Sequence, residues 1–342
     1  MNVQQWEILL KVINGEILEE KPVGFIIDCP WLPNWYGSTI LDYFTSDDLW
    51  FKANMKAIET FPEVMFLPGF WSEYGMCTEP SAFGARSSFP ANGFPYSYKC
   101  IQTVEESGKI QKPDVEIDGF GPFILNRLKL NKHRIEDSGH NIRFSVSRGP
   151  LNIASYLMGT TEFLTAIMTN PEEMHALLRV ITEYLKEWLD LQQQTFPTID
   201  GILILDDIIG FMGEEDFINF GLPYFKELFA GDVKVKFLHN DADCMSSVKY
   251  LPGMDVNLFN MGFNTELNEL KELTQNKVTM LGNIPTRDVL ANGTKEDVEK
   301  SVHDLMSGLK EKSRVILSCG GGMPPGVTTE NITAFINAVN TQ

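Results

Sequence analysis

The stretches GILILDD (201–207) and VKFLHND (235–241) are short apolar runs that end in acidic or imidazole side chains. An apolar run without alternation is typical of a strand that is buried on both faces, as strands are in parallel sheets. We therefore expect a mainly parallel sheet whose strands carry polar residues at their carboxyl ends. The same pattern recurs at VGFIID (23–28), VMFLPGFW (64–71), IRFSVSR (142–148), VNLFN (256–260), VTMLGN (278–283) and VILSCG (315–320).

Helical patterns separate most of these strands, and this alternation predicts a (β/α)8 TIM barrel. A doubly wound sheet is the competing fold. The barrel is favoured because the carboxyl ends of all eight strands carry polar residues, and barrel enzymes carry their chemistry at these strand ends. We expect one domain over 1–342. Residues 69–135, rich in Gly, Pro and aromatic side chains, would form a cap insertion between the second and third strands.

Composition limits the class of protein. The net charge of −18 leaves no basic stripe for nucleic acid and disfavours an anionic membrane surface. No apolar run approaches the ~18 residues that a membrane span needs, and the first twenty residues resemble an amphipathic helix rather than a secretion signal. Five cysteines without a CxxC pair indicate a reducing compartment, so we expect a cytoplasmic protein. The oligomeric state stays open, with a homodimer as one option.

The segment HNDAD (239–243) is the strongest local signal for chemistry. His239 and Asp241 lie two residues apart on an extended segment, so their side chains point the same way and can share a metal ion. Cys319 ends the last predicted strand just before three glycines, and in a barrel that strand opens onto the same rim. We expect His239, Asp241 and Cys319 to form a zinc site with one open position. The alternatives are a solvated loop at His239 and a buried, inert thiol at Cys319.

Adjacent residues on a strand face opposite sides, so only one of Asp206 and Asp207 can enter a pocket. We predict that Asp207 does so and hydrogen-bonds the substrate or a metal ligand, with a helix N-cap as the alternative. Asp28, at the end of the first strand, has the same two interpretations.

An aromatic set follows the first two predicted strands, with Glu73 and Glu79 among it and Arg148 nearby. So much aromatic area requires either packing under the cap or a flat apolar ligand. The set comprises Trp31, Trp35, Tyr36, Phe70, Trp71 and Tyr74.

Over most of its length the chain resembles the uroporphyrinogen decarboxylase superfamily and, within it, the cobamide-dependent methyltransferases. The resemblance is densest in the second half of the chain. It is carried by RGPLNIASYLMGTT (148–161), DGILILDD (200–207), LHNDAD (238–243), MLGNIPTRDVL (280–290) and VILSCGGGMPPGVTTENITAFINAV (315–339).

The decarboxylase itself is disfavoured, because the segment DCPWLPNWYG (28–37) has no basic residue where that enzyme has an arginine. An acidic, aromatic cleft would also repel a substrate with many carboxylates. The methyltransferase branch holds zinc with a His-x-Cys pair and a later Cys. On this resemblance His239 keeps the histidine, Asp241 replaces the first cysteine, and Cys319 lies in the segment of the second. The second cysteine usually falls two residues further on, at Gly321, so Glu73, Glu79, Asp243 or Cys244 could complete the ligand set.

A carboxylate in place of a thiolate makes a bound metal harder and favours oxygen donors over a thiol. The resemblance therefore implies a zinc-dependent methyltransferase that moves a methyl group from a methoxylated, aromatic substrate to the Co(I) of a separate corrinoid protein. Alternatives are a methylcorrinoid-to-thiol or -pterin methyltransferase, a decarboxylase, and a non-catalytic corrinoid- or metal-binding protein. In this interpretation Asp207 or Tyr36 hydrogen-bonds a ring substituent, and the substrate lies among Trp31, Trp35, Phe70, Trp71, Tyr74 and Arg148.

Overall fold

The computed structural model describes residues 1–27 and 30–341, so Asp28 lies outside the described residues. Eight parallel strands with helices between them form the predicted (β/α)8 barrel, which is confirmed. In chain order the strands are β1 (Val23–Ile26), β2 (Val64–Leu67), β3 (Ser87–Ser88), β4 (Tyr96–Ser97), β5 (Phe144–Arg148), β6 (Gly201–Leu205), β7 (Val235–Asn240), β8 (Leu258–Met261), β9 (Thr279–Ile284) and β10 (Val315–Cys319).

The helices cover the predicted helical regions and extend into the long β2–β5 connection. Shorter 3₁₀ or π turns lie at Ile208–Phe211, Phe217–Gly221, Val248–Met254 and Thr286–Ala291. The α-helices are α1 (Val3–Ile13), α2 (Trp31–Tyr36), α3 (Ile40–Thr45), α4 (Asp47–Thr60), α5 (Thr78–Ala82), α6 (Val104–Ser107), α7 (Gly121–Asp137), α8 (Pro150–Met158), α9 (Thr160–Thr169), α10 (Pro171–Thr195), α11 (Glu214–Asp216), α12 (Leu222–Leu228), α13 (Leu267–Leu273), α14 (Lys295–Gly308) and α15 (Thr329–Asn340).

Strand register brings the polar strand ends together. Hydrogen bonding runs in the order β2-β1-β10-β9-β8-β7-β6-β5. Leu205 of β6 pairs with His239 of β7, and His239 pairs with Asn260 of β8. Because paired residues on neighbouring parallel strands share a face, His239 and Asn260 project from the sheet side by side.

Strands β2 and β5 are the two ends of this order, and we call the gap between them the barrel seam. Side chains take the place of the missing strand neighbour of β5. The Gln192 amide on α10 accepts from the Val146 N–H (3.0 Å) and donates to the Val146 carbonyl (3.1 Å). The Glu79 carboxylate on α5 accepts from the Arg148 N–H (2.9 Å). These bonds satisfy backbone groups that a closed barrel would pair with a strand.

The connection between β2 and β5 holds α5, the antiparallel β3–β4 hairpin, α6 and α7. Its last helix, α7, packs against α4 and α10. A cap formed by 69–135 stays a prediction.

Helix α1 lies at the amino end of the barrel strands. Its Asn2 cap accepts from the Gln5 N–H, and Trp6 packs edge-on against Phe144 at the start of β5. Phe144 in turn contacts Phe237 of β7, so aromatic side chains fill this end. Among the described residues, no helix is long and apolar enough to cross a bilayer.

Candidate metal centre

His239 is the buried centre of the site, and its neighbours fix which ring nitrogen carries a proton. The Asn260 Nδ2 donates to the Leu281 carbonyl (2.7 Å), which can only accept. The Asn260 Oδ1 therefore faces His239 Nδ1 (2.8 Å), and Nδ1 must be the donor. In the neutral imidazole the lone pair then lies on Nε2, the nitrogen that faces Asp207 Oδ1 at 3.8 Å. This arrangement prepares Nε2 to bind a metal ion.

Two carboxylates complete a group around this nitrogen. Ligand atoms of Asp207, His239 and Asp241 all lie within 4.8 Å of one another. The Asp207 Oδ1 also accepts from the Asp241 N–H (3.1 Å), which ties the end of β6 to the turn after β7. Burial raises the pKa of Asp207, while His239 opposes this shift and Asp241 adds to it. One nitrogen and two carboxylates at this spacing suit a divalent cation such as Zn²⁺.

The two adjacent aspartates of β6 have different surroundings. Asp206 is fully buried, and its carboxylate accepts from the N–H groups of Leu151 and Asn152 at the start of α8 (2.9 and 3.1 Å). Burial raises the pKa of Asp206 to about 8, and these backbone hydrogen bonds oppose the shift. Asp207 faces His239 instead. Asp206 therefore links β6 to α8, and Asp207 belongs with His239 and Asp241 to the candidate metal-binding group, called the metal-binding group below.

Glycines allow three loops to pack closely around the turn after β7. A Cβ on Gly210 would lie 2.5 Å from the Ala242 Cβ, and one on Gly262 would lie 2.5 Å from the Asp241 carbonyl oxygen. A Cβ on Gly321, whose φ is +87°, would lie 2.9 Å from both Cβ and Oδ2 of Asp241. Only residues without a side chain permit this approach. The loops after β6, β8 and β10 thus hold Asp241 in place.

Cys319 does not belong to the group of three that the structure assembles in the described chain. Its buried thiol at the end of β10 approaches the Gly321 carbonyl oxygen at 3.5 Å. The third member of the group is Asp207, whereas the sequence predicted Cys319 as the third ligand. Cys319 as a ligand stays a prediction. The resemblance aligns Gly321 with a family cysteine, and the space beside it holds the Asp241 carboxylate.

The additional carboxylates considered as ligands have other partners. Glu73 pairs with the Arg148 guanidinium, and Glu79 accepts from the Ser147 hydroxyl (2.9 Å). Asp243 accepts from the Met245 N–H (2.8 Å). These contacts place Glu73 and Glu79 at the barrel seam.

Arg148 lies at the end of β5, in register with Leu205 of β6. Burial alone would lower its pKa, but the surrounding acidic groups, Glu73 foremost, raise the pKa of Arg148 above its usual value. Burial raises the pKa of Glu73, and Arg148 opposes that shift. Arg148 also interacts electrostatically with Asp207 and so brings positive charge near the metal-binding group.

Sequence analysis missed Tyr156 on α8. Its phenol interacts with Arg148 and Asp207, and burial raises the pKa of Tyr156 to about 12. The hydroxyl therefore remains protonated at neutral pH and offers a donor near the group. The only sequence signal was its position about two helical turns after Arg148, on the helix that follows β5.

Two predicted substrate-binding aromatics lie in the core. Trp31 is fully buried, donates to the Val327 carbonyl (3.1 Å) and stacks on Trp35. Phe70 is buried against Trp50 and Phe51. This is the packing alternative that the sequence left open for the aromatic set.

The other aromatics of that set are distributed. Trp71 is buried and donates to the Ile27 carbonyl (2.5 Å), but it also lines a small cavity at the barrel seam. Tyr74 packs against Phe120, and the half-buried Trp35 donates to Thr329 (3.0 Å). Tyr36 is half-buried at the end of α2. A substrate role for these residues stays a prediction.

Comparisons with known proteins agree with the barrel. A family model described as Uroporphyrinogen decarboxylase (URO-D) matches residues 7–342. The uroporphyrinogen decarboxylase of Nautilia profundicola is 26% identical over 269 residues, 75% of each chain. That of Vesicomyosocius okutanii is 24% identical over 280 residues, 77% of this chain and 76% of the relative.

Two solved structures share the fold. A methyltransferase from Methanosarcina mazei superposes with a TM-score of 0.81 at 17% identity and 97% coverage of both chains. A B12-independent methionine synthase from Shewanella sp. W3-18-1 gives a TM-score of 0.56 at 11% identity, covering 95% of this chain and 98% of that one. At these identities the likeness concerns the fold alone.

Proposed function

The chain belongs to the uroporphyrinogen decarboxylase family, and from that premise we propose that it is a metal-dependent methyltransferase. Its substrate is a methoxylated, aromatic compound, and its methyl acceptor is the Co(I) of a separate corrinoid protein. The observation that carries this proposal is the Asp207–His239–Asp241 group with its prepared Nε2.

In this function Asp207, His239 and Asp241 would hold a divalent cation such as Zn²⁺. The cation would act as a Lewis acid toward the ether oxygen whose methyl group is removed. Asn260 keeps His239 in the tautomer that binds metal. Tyr156 holds its proton at neutral pH and offers a hydrogen bond to an oxygen of the substrate. Two carboxylate ligands would make the bound cation harder, which supports an oxygen-bearing substrate over a thiol.

Decarboxylation is the second candidate, because the named relatives are uroporphyrinogen decarboxylases. The charges at the strand ends speak against it. Asp207 and Asp241 are acidic, and the guanidinium of Arg148 is paired with Glu73. A substrate with many carboxylates would meet repulsion here.

The test is an assay of phenol release from methoxylated aromatics with a reduced corrinoid protein and Zn²⁺. We expect turnover that chelation abolishes and about one bound metal per chain. The variants His239→Ala and Asp241→Asn should lose both metal and turnover. The control Asp243→Asn removes a carboxylate from the same turn and should retain them, since Asp243 contacts Met245 instead.

Three results would contradict the proposal. Decarboxylation of a tetrapyrrole that survives chelation would favour the second candidate. Methyl transfer to a thiol or pterin, with no reaction of any methoxyarene, would reverse the direction of transfer. Stoichiometric binding of metal or corrinoid without turnover would indicate a non-catalytic protein.

A further inference from the structure

A buried carboxylate oxygen at the barrel seam lacks a hydrogen-bond partner among the described residues. Glu79 is 3% exposed. Its Oε1 accepts from the Ser147 hydroxyl and the Arg148 N–H, both at 2.9 Å. Its Oε2 has no donor. Burying a carboxylate oxygen without a hydrogen bond costs free energy, so this position calls for a donor from outside the described chain.

A cavity beside Glu79 can hold the group that donates to this oxygen. A small cavity at the barrel seam has room for about one water-sized group. Glu79 lines this cavity together with Trp71, Arg148, Trp188 and Leu205. A site of this size admits a single hydroxyl or amine group and excludes a carboxylate or a trimethylammonium group.

Strand register relates the cavity to the strand that bears His239. Arg148 and Leu205 line the cavity, and register pairs Arg148 with Leu205 and Leu205 with His239. In the cavity wall, Arg148 on β5 is thus two strand spacings, ~10 Å, from the strand that bears His239, and Leu205 on β6 is one. We expect an aromatic substrate to place its ether oxygen at the metal-binding group. A polar group on the opposite side of its ring would then point toward Glu79.

Charge selects the kind of donor. Glu73 pairs with the Arg148 guanidinium, so the Glu79 carboxylate leaves a net negative charge at the cavity wall, which disfavours an anion. A cation would lose its hydration in this small cavity, whereas a neutral hydroxyl donates to the Glu79 oxygen at a smaller desolvation cost.

We propose that Glu79 is a substrate-binding residue whose Oε2 accepts a hydrogen bond from a neutral hydroxyl group of the substrate. The inference rests on the proposed function for the identity of that substrate, a methoxyarene with a free hydroxyl group opposite its methoxy group. Glu79 thereby makes the enzyme specific for partly demethylated or naturally hydroxylated methoxyarenes.

The test compares calorimetric binding of 4-methoxyphenol and methoxybenzene to the metal-loaded protein, since the second lacks the hydroxyl group and adds no bulk in its place. Wild type should bind the phenol ~10–100-fold more tightly, as expected for a hydrogen bond to a buried charge. Glu79→Gln, which replaces the acceptor with a donor, should reduce this preference to about threefold or less. The exposed, distant Glu63→Gln is the matched control and should keep the wild-type ratio.

Equal affinity of wild type for the two ligands, no binding of either, or a preference that survives in Glu79→Gln would overturn the inference. The wild-type comparison stands even if the variant fails to fold. Because binding is measured without a corrinoid protein, its outcome is separate from that of the methyl-transfer assay. Hydroxyl-dependent binding without methyl transfer would refute the proposed function and leave Glu79 as the hydroxyl-binding residue.

Discussion

At the residue scale, Asn260 determines whether His239 can act as a ligand. It accepts from His239 Nδ1 and donates to the Leu281 carbonyl. Asn260→Leu keeps the approximate volume but removes this acceptor, so the ring loses its fixed tautomer and orientation. We expect metal affinity to fall ~10–100-fold, measured by competition with a chromophoric chelator.

Asn331→Leu is the control for the Asn260 variant. Asn331 is equally a buried amide and holds the carbonyls of Leu290 and Gly293 from α15 (3.0 Å each). Its loss should lower stability and leave metal affinity unchanged. Wild-type affinity in a folded Asn260→Leu variant would show that His239 Nε2 does not depend on this contact.

Individual residues also show which parts of the candidate site can be predicted from sequence. His239 and Asp241 come together as expected, because two residues on one strand end share a direction whatever the rest of the fold does. Asp207 was assigned to the pocket, but its place beside His239 depends on the register of β6 against β7. Tyr156 was missed, and Glu79 was considered as a metal ligand and not as a hydrogen-bond acceptor, because their surroundings come from segments far apart in sequence.

At the scale of elements, the loop after β10 positions the carboxylate of the loop after β7. Gly321→Ala adds a methyl group 2.9 Å from the Asp241 side chain, at a φ of +87°. We expect a loss of ~1–3 kcal/mol in the free energy of unfolding and weaker metal binding, because Asp241 must move. Denaturant unfolding and chelator competition measure the two effects.

Gly326→Ala separates backbone strain from displacement of Asp241. Gly326 also has a positive φ, +94°, but a Cβ there meets nothing within 4 Å. This control should lose less stability, from backbone strain alone, and keep its metal affinity. If both variants bind metal as wild type does, contact between Gly321 and Asp241 is irrelevant to the site.

The strands and helices also show why the barrel could be predicted from sequence and the contacts at its seam could not. Continuous apolar runs such as GILIL and VMFL follow from burial on both faces, which leaves a direct signature in sequence. The contact of Gln192 with Val146 joins residues 46 positions apart and uses a polar residue on a helix of otherwise ordinary pattern. Nothing in the local sequence distinguishes that glutamine from its neighbours on α10.

At the scale of the whole molecule, the same barrel fold supports different reactions, so the fold alone does not distinguish methyl transfer from decarboxylation. The barrel resembles a methyltransferase structure, while the named relatives are decarboxylases. Charge separates these options more sharply than shape. A chain of net charge −18 with two aspartates at the strand ends attracts a metal cation and repels a polyanionic substrate.

Metal binding should therefore stabilise the whole molecule. A ligand that binds only the folded state, present at about 100 times its dissociation constant, adds about 2.7 kcal/mol, which corresponds to a rise of roughly 4 °C in Tm for a chain of this length. We expect this rise on adding Zn²⁺ to metal-free protein, measured by calorimetry, and its loss in Asp207→Asn and His239→Ala. Cys319→Ser distinguishes the two ligand sets. A rise equal to that of wild type fits the Asp207–His239–Asp241 group, whereas a rise that disappears would show that the Cys319 sulfur binds the ion.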